Sequence, residues 1–160
     1  MRRQITNLCT EAYEEEFSAY LEAVGSGVHV VGRLDGVVVS HAMWVTRVLD
    51  ADARVTLRTA YVEAVATRPS HQRRGFASEI LARLAAEILD YDLGALSPSE
   101  PSFYARLGWE LWRGPLFIRT DQGLEPTPGE SVMIRRLPRT PADLDLNARL
   151  TAEWRPGEVW

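Results

Sequence analysis

The most informative segment of this chain is QRRGFA, residues 72–77. It overlaps the start of the clearest predicted helix, residues 74–89, in which apolar side chains recur at helical spacing. A helix N-terminus offers unpaired N–H groups, Gly75 lets an anion approach the backbone, and Arg73 and Arg74 add positive charge. The segment therefore suits a pyrophosphate, with an ordinary basic helix start as the alternative. It has one glycine and no Lys-Ser/Thr pair, so it is neither a P-loop nor a dinucleotide fingerprint.

The residues before this segment predict a helix, a β-hairpin and a further strand. Residues 28–34 and 37–48 are rich in β-branched and apolar side chains, and Asp35-Gly36 between them is typical of a type I′ turn. Residues 55–67 predict one long strand or two bent strands. Residues 8–24 predict a loosely amphipathic helix.

The residues after the segment predict shorter elements. Residues 93–97 form a short apolar strand, and Ser102 is expected to cap a brief helix. Residues 109–119 and 132–137 predict a second hairpin whose strands are joined by a polar loop. The tail, residues 138–160, has no clear period, and its leucines and tryptophans predict that it packs back on the body.

The order of these elements predicts a single domain over residues 1–160 with an α/β (α+β) layered fold, in which helices cover both faces of a mixed, twisted sheet. The 160 residues are 46% hydrophobic and 25% charged, which is sufficient for one core. Cys9 has no partner for an internal disulfide. A cytoplasmic protein is expected, because no stretch resembles a signal peptide or approaches the roughly 18 apolar residues of a membrane span.

Charge and motif content narrow the function. The net charge of −4 argues against binding of duplex nucleic acid and favours a cationic or neutral ligand. The three histidines and one cysteine lack metal-ligand spacing, so no metal is expected, and His41 is interpreted as a core or edge histidine of its strand. No serine lies in a Gly-x-Ser-x-Gly elbow, so hydrolase chemistry has no support.

Three motifs carry a resemblance to a known superfamily. QRRGFA resembles the Q/R-x-x-G-x-G/A motif of the GNAT superfamily of acetyl-CoA-dependent N-acetyltransferases. YVEAVAT, residues 61–67, resembles the fourth strand of that fold, and SFYARLGW, residues 102–109, resembles the F-Y-x-x-x-G-W signature after the fifth. The resemblance implies the GNAT fold, with acetyl-CoA as co-substrate and coenzyme A as product.

Further segments resemble one family within this superfamily, the aminoglycoside 2′-N-acetyltransferases. They are GALS at residues 94–97, WRGP at 112–115 and the final EWRPGEVW at 153–160. The resemblance implies a homodimer that acetylates the 2′-amine of aminoglycosides by direct attack in a ternary complex, which is an antibiotic-resistance activity. Two alternatives stay open: a GNAT enzyme acting on a polyamine, an amino sugar or a protein amine, and a non-catalytic acyl-CoA-binding module.

Two side chains are candidate catalytic groups. Glu63 stands in an apolar strand, where an unpaired carboxylate would be costly, so it needs a partner, water or a ligand. The resemblance implies that it is the general base, and the alternative is an ion pair with an arginine such as Arg58. Tyr104 is the candidate acid for the coenzyme A thiolate, with a core tyrosine as the alternative.

The resemblance also implies a cofactor-binding surface. The backbone of Val65 polarises the thioester carbonyl, the backbone around Thr67 holds the pantetheine arm, and residues 72–77 bind the pyrophosphate. The implied cofactor-binding residues are Val65, Ala66, Thr67, Gln72, Arg73, Arg74, Gly75, Phe76 and Ala77.

Recognition of a polycationic aminoglycoside requires matched carboxylates and hydroxyl partners. The resemblance implies roles for Glu158, for the terminal carboxylate of Trp160, which is also counted among the catalytic groups, and for Ser97. The remaining implied substrate-binding residues are Glu63, Ala64, Glu130, Glu16 and Glu11. For the two N-terminal glutamates the alternative is a solvated helix face. For the tail the alternative is simple anchoring through Trp154 and Trp160.

Overall fold

The computed structural model describes all 160 residues and begins with two helices. Helix α1 is Arg2–Tyr13 and helix α2 is Ser18–Val24. The prediction of one helix over residues 8–24 is therefore wrong. Helix α1 ends at Glu14, whose φ of 58° is left-handed and cannot continue an α-helix, and its buried side chains begin at Ile5, before the predicted start.

The predicted first hairpin is confirmed. Strand β1, Val28–Leu34, pairs antiparallel with strand β2, Val37–Ala51. Asp35 and Gly36 between them have φ values of 50° and 80°, as a type I′ turn requires at both central positions.

The third strand and the helix after it surround the QRRGFA segment. Strand β3 is Val55–Thr67, a single strand with one positive φ at Ala64. A short 3₁₀ helix, Pro69–His71, follows, and helix α3 is Phe76–Glu87. The predicted buried stripe of α3 is confirmed, because its buried side chains are Ile80, Leu81, Leu84 and Ala85.

The second half of the chain is made of short elements. They are β4 (Leu93–Leu96), α4 (Pro101–Arg106), β5 (Glu110–Leu111), β6 (Leu116–Thr120), β7 (Gly123–Pro126), β8 (Met133–Arg136) and β9 (Leu150–Glu153). Ser102 is not the cap of α4, contrary to expectation. Pro101 takes the first helical position, where its missing N–H costs nothing, so the cap position falls to Glu100.

The predicted second hairpin is confirmed only for the start of its first strand, where β5 pairs antiparallel with β8. Strand β6 pairs with β7, because Asp121 and Gln122 turn the chain back directly and Thr120 faces Gly123. Strand β8 pairs antiparallel with β4 on its other side, which the sequence did not predict. The polar loop predicted between the two strands therefore contains a strand of its own.

The tail contributes a strand inside the sheet. Strand β9 pairs antiparallel with β2, where Asp50 faces Thr151, and parallel with β6, where Phe117 faces Thr151. The chain just before β9 packs closely against Gly114. A Cβ on Gly114 would lie 1.8 Å from the carbonyl oxygen of Ala148, so only glycine fits there. The Trp112 indole donates to the same carbonyl at 2.8 Å.

The strands form one mixed sheet in the order β5-β8-β4-β3-β2-β9-β6-β7, with β1 paired to β2. The β3/β4 and β6/β9 pairs are parallel. The predicted combination of a mixed sheet with helices is confirmed. None of the helices is both long enough and apolar enough to cross a membrane.

The chain forms two compact units, and each unit is made of two segments of the sequence. The first unit is Met1–Val45 with Val62–Glu87 and holds α1, α2, β1 and α3. The second unit is Thr46–Tyr61 with Ile88–Trp160 and holds the remaining helix and the short strands.

Candidate active site

The backbone at Ala64 is the most unusual feature of the first unit. Ala64 lies inside β3 with a φ of 50°, in the left-handed region that residues other than glycine rarely adopt. Such a conformation costs about 1–3 kcal/mol and persists only where the surroundings hold it. The Ala64 carbonyl lies 2.8 Å from Nδ1 of His41 on β2, which is a hydrogen bond. Ala64 separates Glu63 from Val65, the two positions predicted to act on the reacting atoms.

Glu63 is only 6% exposed, and the phenol of Tyr20 donates a hydrogen bond to its Oε2 at 2.5 Å. The alternative partner proposed from the sequence, Arg58, pairs with Asp90 at 3.4 Å and stacks over the Tyr91 ring. The predicted carboxylate therefore has the Tyr20 phenol as one of its partners, whereas Arg58 pairs elsewhere. Sequence reasoning missed Tyr20, because nothing in the residues around it marks a contact with a strand 43 positions away.

Side chains also bind two backbone carbonyls of β3 that follow Ala64. The Tyr13 hydroxyl donates to the Val65 carbonyl at 2.9 Å, and the Gln72 amide donates to the Thr67 carbonyl at 3.2 Å. Tyr13 stacks on Phe17 at a centroid distance of 4.6 Å, and Phe17 contacts Tyr20 at the same distance. One aromatic row on the N-terminal helices thus positions both phenols that bind β3.

The QRRGFA segment has the geometry of an anion-binding loop. Arg73 and Gly75 have φ values of 59° and 89°, and a Cβ on Gly75 would meet nothing within 4 Å. The amide of Glu79 bonds to the Gly75 carbonyl at 3.0 Å, so the N–H groups of residues 76–78 precede the helical hydrogen bonds. Open space beside a glycine and amides at a helix start fit a pyrophosphate.

One further observation fits a bound co-substrate. The hydroxyl of Thr67, at the end of β3, is buried and has no hydrogen-bond partner within the protein. Buried hydroxyls are normally satisfied, so this group calls for a polar partner from outside the chain. An amide of a pantetheine arm is a partner of suitable chemistry.

Tyr104 in the second unit is buried, and its ring packs edge-on against Phe103 and Trp109. Burial raises the pKa of Tyr104 to about 12, so the phenol keeps its proton at neutral pH. Ser97 directly follows β4 and is exposed, as is Glu130 between β7 and β8.

The tail is anchored by contacts that only partly follow expectation. Trp160 is 2% exposed and its indole donates to the Thr127 hydroxyl at 2.8 Å, whereas Trp154 is 56% exposed and does not anchor the tail. Arg47 on β2, which the sequence reasoning missed, donates to the carbonyl of Val159 at 2.6 Å and to that of Glu153 at 3.0 Å.

The predicted substrate carboxylates differ in their surroundings. The Glu158 side chain is exposed. The Glu11 carboxylate pairs with Arg68. Glu16 accepts hydrogen bonds from the hydroxyl and the amide of Ser18 at the start of α2, and these bonds lower its pKa. Both N-terminal glutamates therefore have protein partners, and their predicted contact with substrate stays a prediction.

Comparison with known proteins identifies the family. A family model described as an acetyltransferase (GNAT) domain matches residues 3–112. The chain belongs to the GNAT acetyltransferase family, as the sequence motifs predicted, and is an N-acetyltransferase that uses acetyl-CoA.

Individual relatives add detail to this assignment. The chain is 34% identical over 167 residues to an aminoglycoside 2′-N-acetyltransferase of Mycolicibacterium fortuitum, covering 99% of this chain and 85% of the relative. It is 20% identical to the GNAT enzyme YhbS of Escherichia coli, solved in complex with CoA, with a TM-score of 0.70 over 96% of this chain and 83% of that one. Eis1 of Mycobacterium abscessus is 21% identical with a TM-score of 0.59; the match covers 67% of this chain and 28% of Eis1, so this chain spans less than a third of that protein.

Proposed function

We propose that this enzyme transfers the acetyl group of acetyl-CoA to the 2′-amino group of aminoglycosides, an activity that confers resistance. The observation that carries the proposal is a buried carboxylate, Glu63, beside the left-handed peptide of Ala64. The identity of 34% to an aminoglycoside 2′-N-acetyltransferase over nearly the whole chain supports the choice of substrate. The acidic chain, with a net charge of −4, suits a polycation.

Glu63 is the proposed general base. Its carboxylate accepts a proton from the substrate ammonium, directly or through a water, so that a neutral amine nitrogen attacks the acyl carbon. The Tyr20 hydrogen bond keeps one carboxylate oxygen in place, which orients the carboxylate.

The Val65 amide and Tyr104 act on the two atoms that gain negative charge. The N–H of Val65 donates to the acyl oxygen as the nitrogen–carbon bond forms. The attacking nitrogen then loses its second proton to solvent and the carbon–sulfur bond breaks. The Tyr104 hydroxyl donates a hydrogen bond to the departing thiolate, which takes up a proton from solvent. With a pKa of about 12, above the roughly 8.5 of an ordinary thiol, the phenol stabilises the thiolate without giving up its proton completely.

Binding of the two substrates is assigned to separate groups. Residues 72–77 hold the pyrophosphate, and the backbone of Ala66 and Thr67 holds the pantetheine arm. The Glu158 side chain and the terminal carboxylate of Trp160 bind substrate amines, and Ser97 and Glu130 bind hydroxyls and amines at the rim. A single domain in which the tail completes the active site, and a cytoplasmic homodimer, are parts of the same proposal.

The proposal is tested by thiol release from acetyl-CoA with a panel of aminoglycosides. Compounds that carry a 2′-amine are compared with matched compounds that carry a 2′-hydroxyl. Release confined to the 2′-amines supports the proposal. If no aminoglycoside causes thiol release although acetyl-CoA still binds, the proposed substrate is wrong and another amine must be the acceptor.

A further inference from the structure

His41 is a polar side chain in an apolar stretch of β2, and it is fully buried. Its two ring nitrogens both have partners. Nδ1 lies 2.8 Å from the carbonyl oxygen of Ala64, and Nε2 lies 2.9 Å from Nδ1 of His29 on β1. The sequence predicted only a core or edge histidine at this position, and the reaction proposed above makes no use of it.

The partners fix the direction of these hydrogen bonds. A carbonyl oxygen can only accept, so Nδ1 of His41 carries a proton and donates to Ala64. Burial lowers the pKa of His41 to about 4, so the ring is neutral and its Nε2 accepts. The Nδ1 of His29 must then donate. The nearby Cys9 sulfur, 3.9 Å from Nδ1 of His41, brings no charge, because burial raises the pKa of its thiol to about 12.

The hydrogen bond to Ala64 acts on the neighbouring amide. The Ala64 carbonyl and the Val65 N–H belong to one peptide unit, which is planar and trans, so they point in opposite directions. A donor that holds the carbonyl therefore also sets the direction of the N–H. Donation to the carbonyl polarises the peptide and makes the N–H a stronger donor.

We propose that His41, oriented by His29, is a positioning residue that aims and polarises the Val65 amide for acetyl transfer. This inference rests on the proposed role of Val65 at the acyl oxygen. It explains why a strained backbone at Ala64 is combined with a buried histidine, at a position where an apolar side chain would fill the same space without a polar group to satisfy.

Three variants separate positioning from packing. His41→Leu keeps an apolar side chain in the core and removes the donor. His41→Asn restores a donor, because its amide nitrogen stands close to where Nδ1 of histidine stands. His29→Phe removes the hydrogen bond that orients His41. Leu57→Ala, at a buried position near the start of β3 in the second unit, is the matched control for loss of stability alone.

The first measurement is steady-state acetyl transfer to a 2′-amine aminoglycoside. His41→Leu is expected to lower kcat about 10- to 100-fold, as misplacement of a reacting group does, while the KM for acetyl-CoA stays within about threefold. His41→Asn is expected to recover most of the loss, and His29→Phe to cause a smaller one. Leu57→Ala is expected to lower the unfolding temperature and leave kcat unchanged. A folded His41→Leu with wild-type kcat overturns the inference.

The second measurement does not depend on the amine. Protein labelled with ¹⁵N-valine is titrated with acetyl-CoA, and the Val65 amide proton is expected to shift downfield in the wild type and in His41→Asn but not in His41→Leu. An equal shift in all three proteins overturns the role of His41 even if aminoglycosides are acetylated. A shift that depends on His41 in an enzyme silent on aminoglycosides retains the inference and rejects only the proposed substrate.

Discussion

The carboxylate of Glu63 accepts a hydrogen bond from the Tyr20 phenol. At the scale of single residues, this contact fixes one oxygen of the proposed base in place.

Replacement of Glu63 tests this directly. Glu63→Gln is expected to lower kcat at neutral pH at least about 100-fold and to flatten the pH dependence of kcat, because an amide cannot take a proton from the amine. The measurement is a pH–rate profile with saturating acetyl-CoA. Tyr20→Phe is the control: it keeps the ring contact with Phe17, so a smaller loss with the pH dependence retained is expected. An unchanged rate in Glu63→Gln would remove its role as the base.

Tyr104 is expected to contribute less. Tyr104→Phe keeps the packing against Phe103 and Trp109 and removes only the hydroxyl. Because the phenol stabilises the thiolate by one hydrogen bond, kcat is expected to fall about tenfold with little change in the unfolding temperature. If pre-steady-state thiol release is as fast as in the wild type, Tyr104 is a core tyrosine and nothing more.

At the scale of elements, the place of β9 depends on one close approach. Gly114→Ala puts a methyl group against the Ala148 carbonyl, so the chain before β9 must move. We expect the free energy of unfolding to fall by about 1–3 kcal/mol, as in other cases of overpacking, measured by urea titration. Gly32→Ala is the matched control, since its new methyl group would stand 3.4 Å or more from its neighbours. Equal stability of the two variants would contradict the packing described for Gly114.

The tail offers a second test at this scale. One added residue after Trp160 displaces the terminal carboxylate but leaves the buried indole and the Arg47 hydrogen bonds to the tail in place. The KM for the aminoglycoside is expected to rise about tenfold or more while the unfolding temperature stays the same, because only a ligand-binding charge has moved. An unchanged KM would assign the tail to anchoring alone.

The elements that the sequence predicted well are those set by local patterns. The Asp35-Gly36 turn and the buried stripe of α3 follow from residues close in the chain. Strand β9 could not be predicted, because its four residues show no period and gain their structure from β2 and β6. The same distinction holds for the candidate site. Glu63 could be predicted, because it is a charge in an apolar strand. Tyr20 and Arg47 could not, because they bind residues that are far away in the sequence.

For the whole molecule, buried His41 makes stability depend on pH. Burial lowers its pKa to about 4, whereas in the unfolded chain the histidine takes up a proton near pH 6.5. Between these values the unfolded state binds more protons, so acidification from pH 6.5 to 4 is expected to lower the free energy of unfolding by up to about 3 kcal/mol. Above pH 6.5 this contribution is constant.

Urea unfolding at a series of pH values measures this dependence. His41→Asn is the control, because it keeps a donor to Ala64 without a group that titrates in this range, and its stability is expected to vary less with pH. If the free energy of unfolding varies equally with pH in the two proteins, His41 has the same protonation state in the folded and the unfolded chain. That result would contradict the prediction.

The left-handed conformation of Ala64 also limits how the gene can change. Single-base changes of an alanine codon lead to glycine, valine, serine, threonine, proline, aspartate or glutamate. Valine, threonine and proline are excluded by a φ of 50°, and the charged residues by burial. Glycine alone adopts this backbone at no steric cost. It is therefore the one single-base replacement of Ala64 that the left-handed backbone accepts without strain.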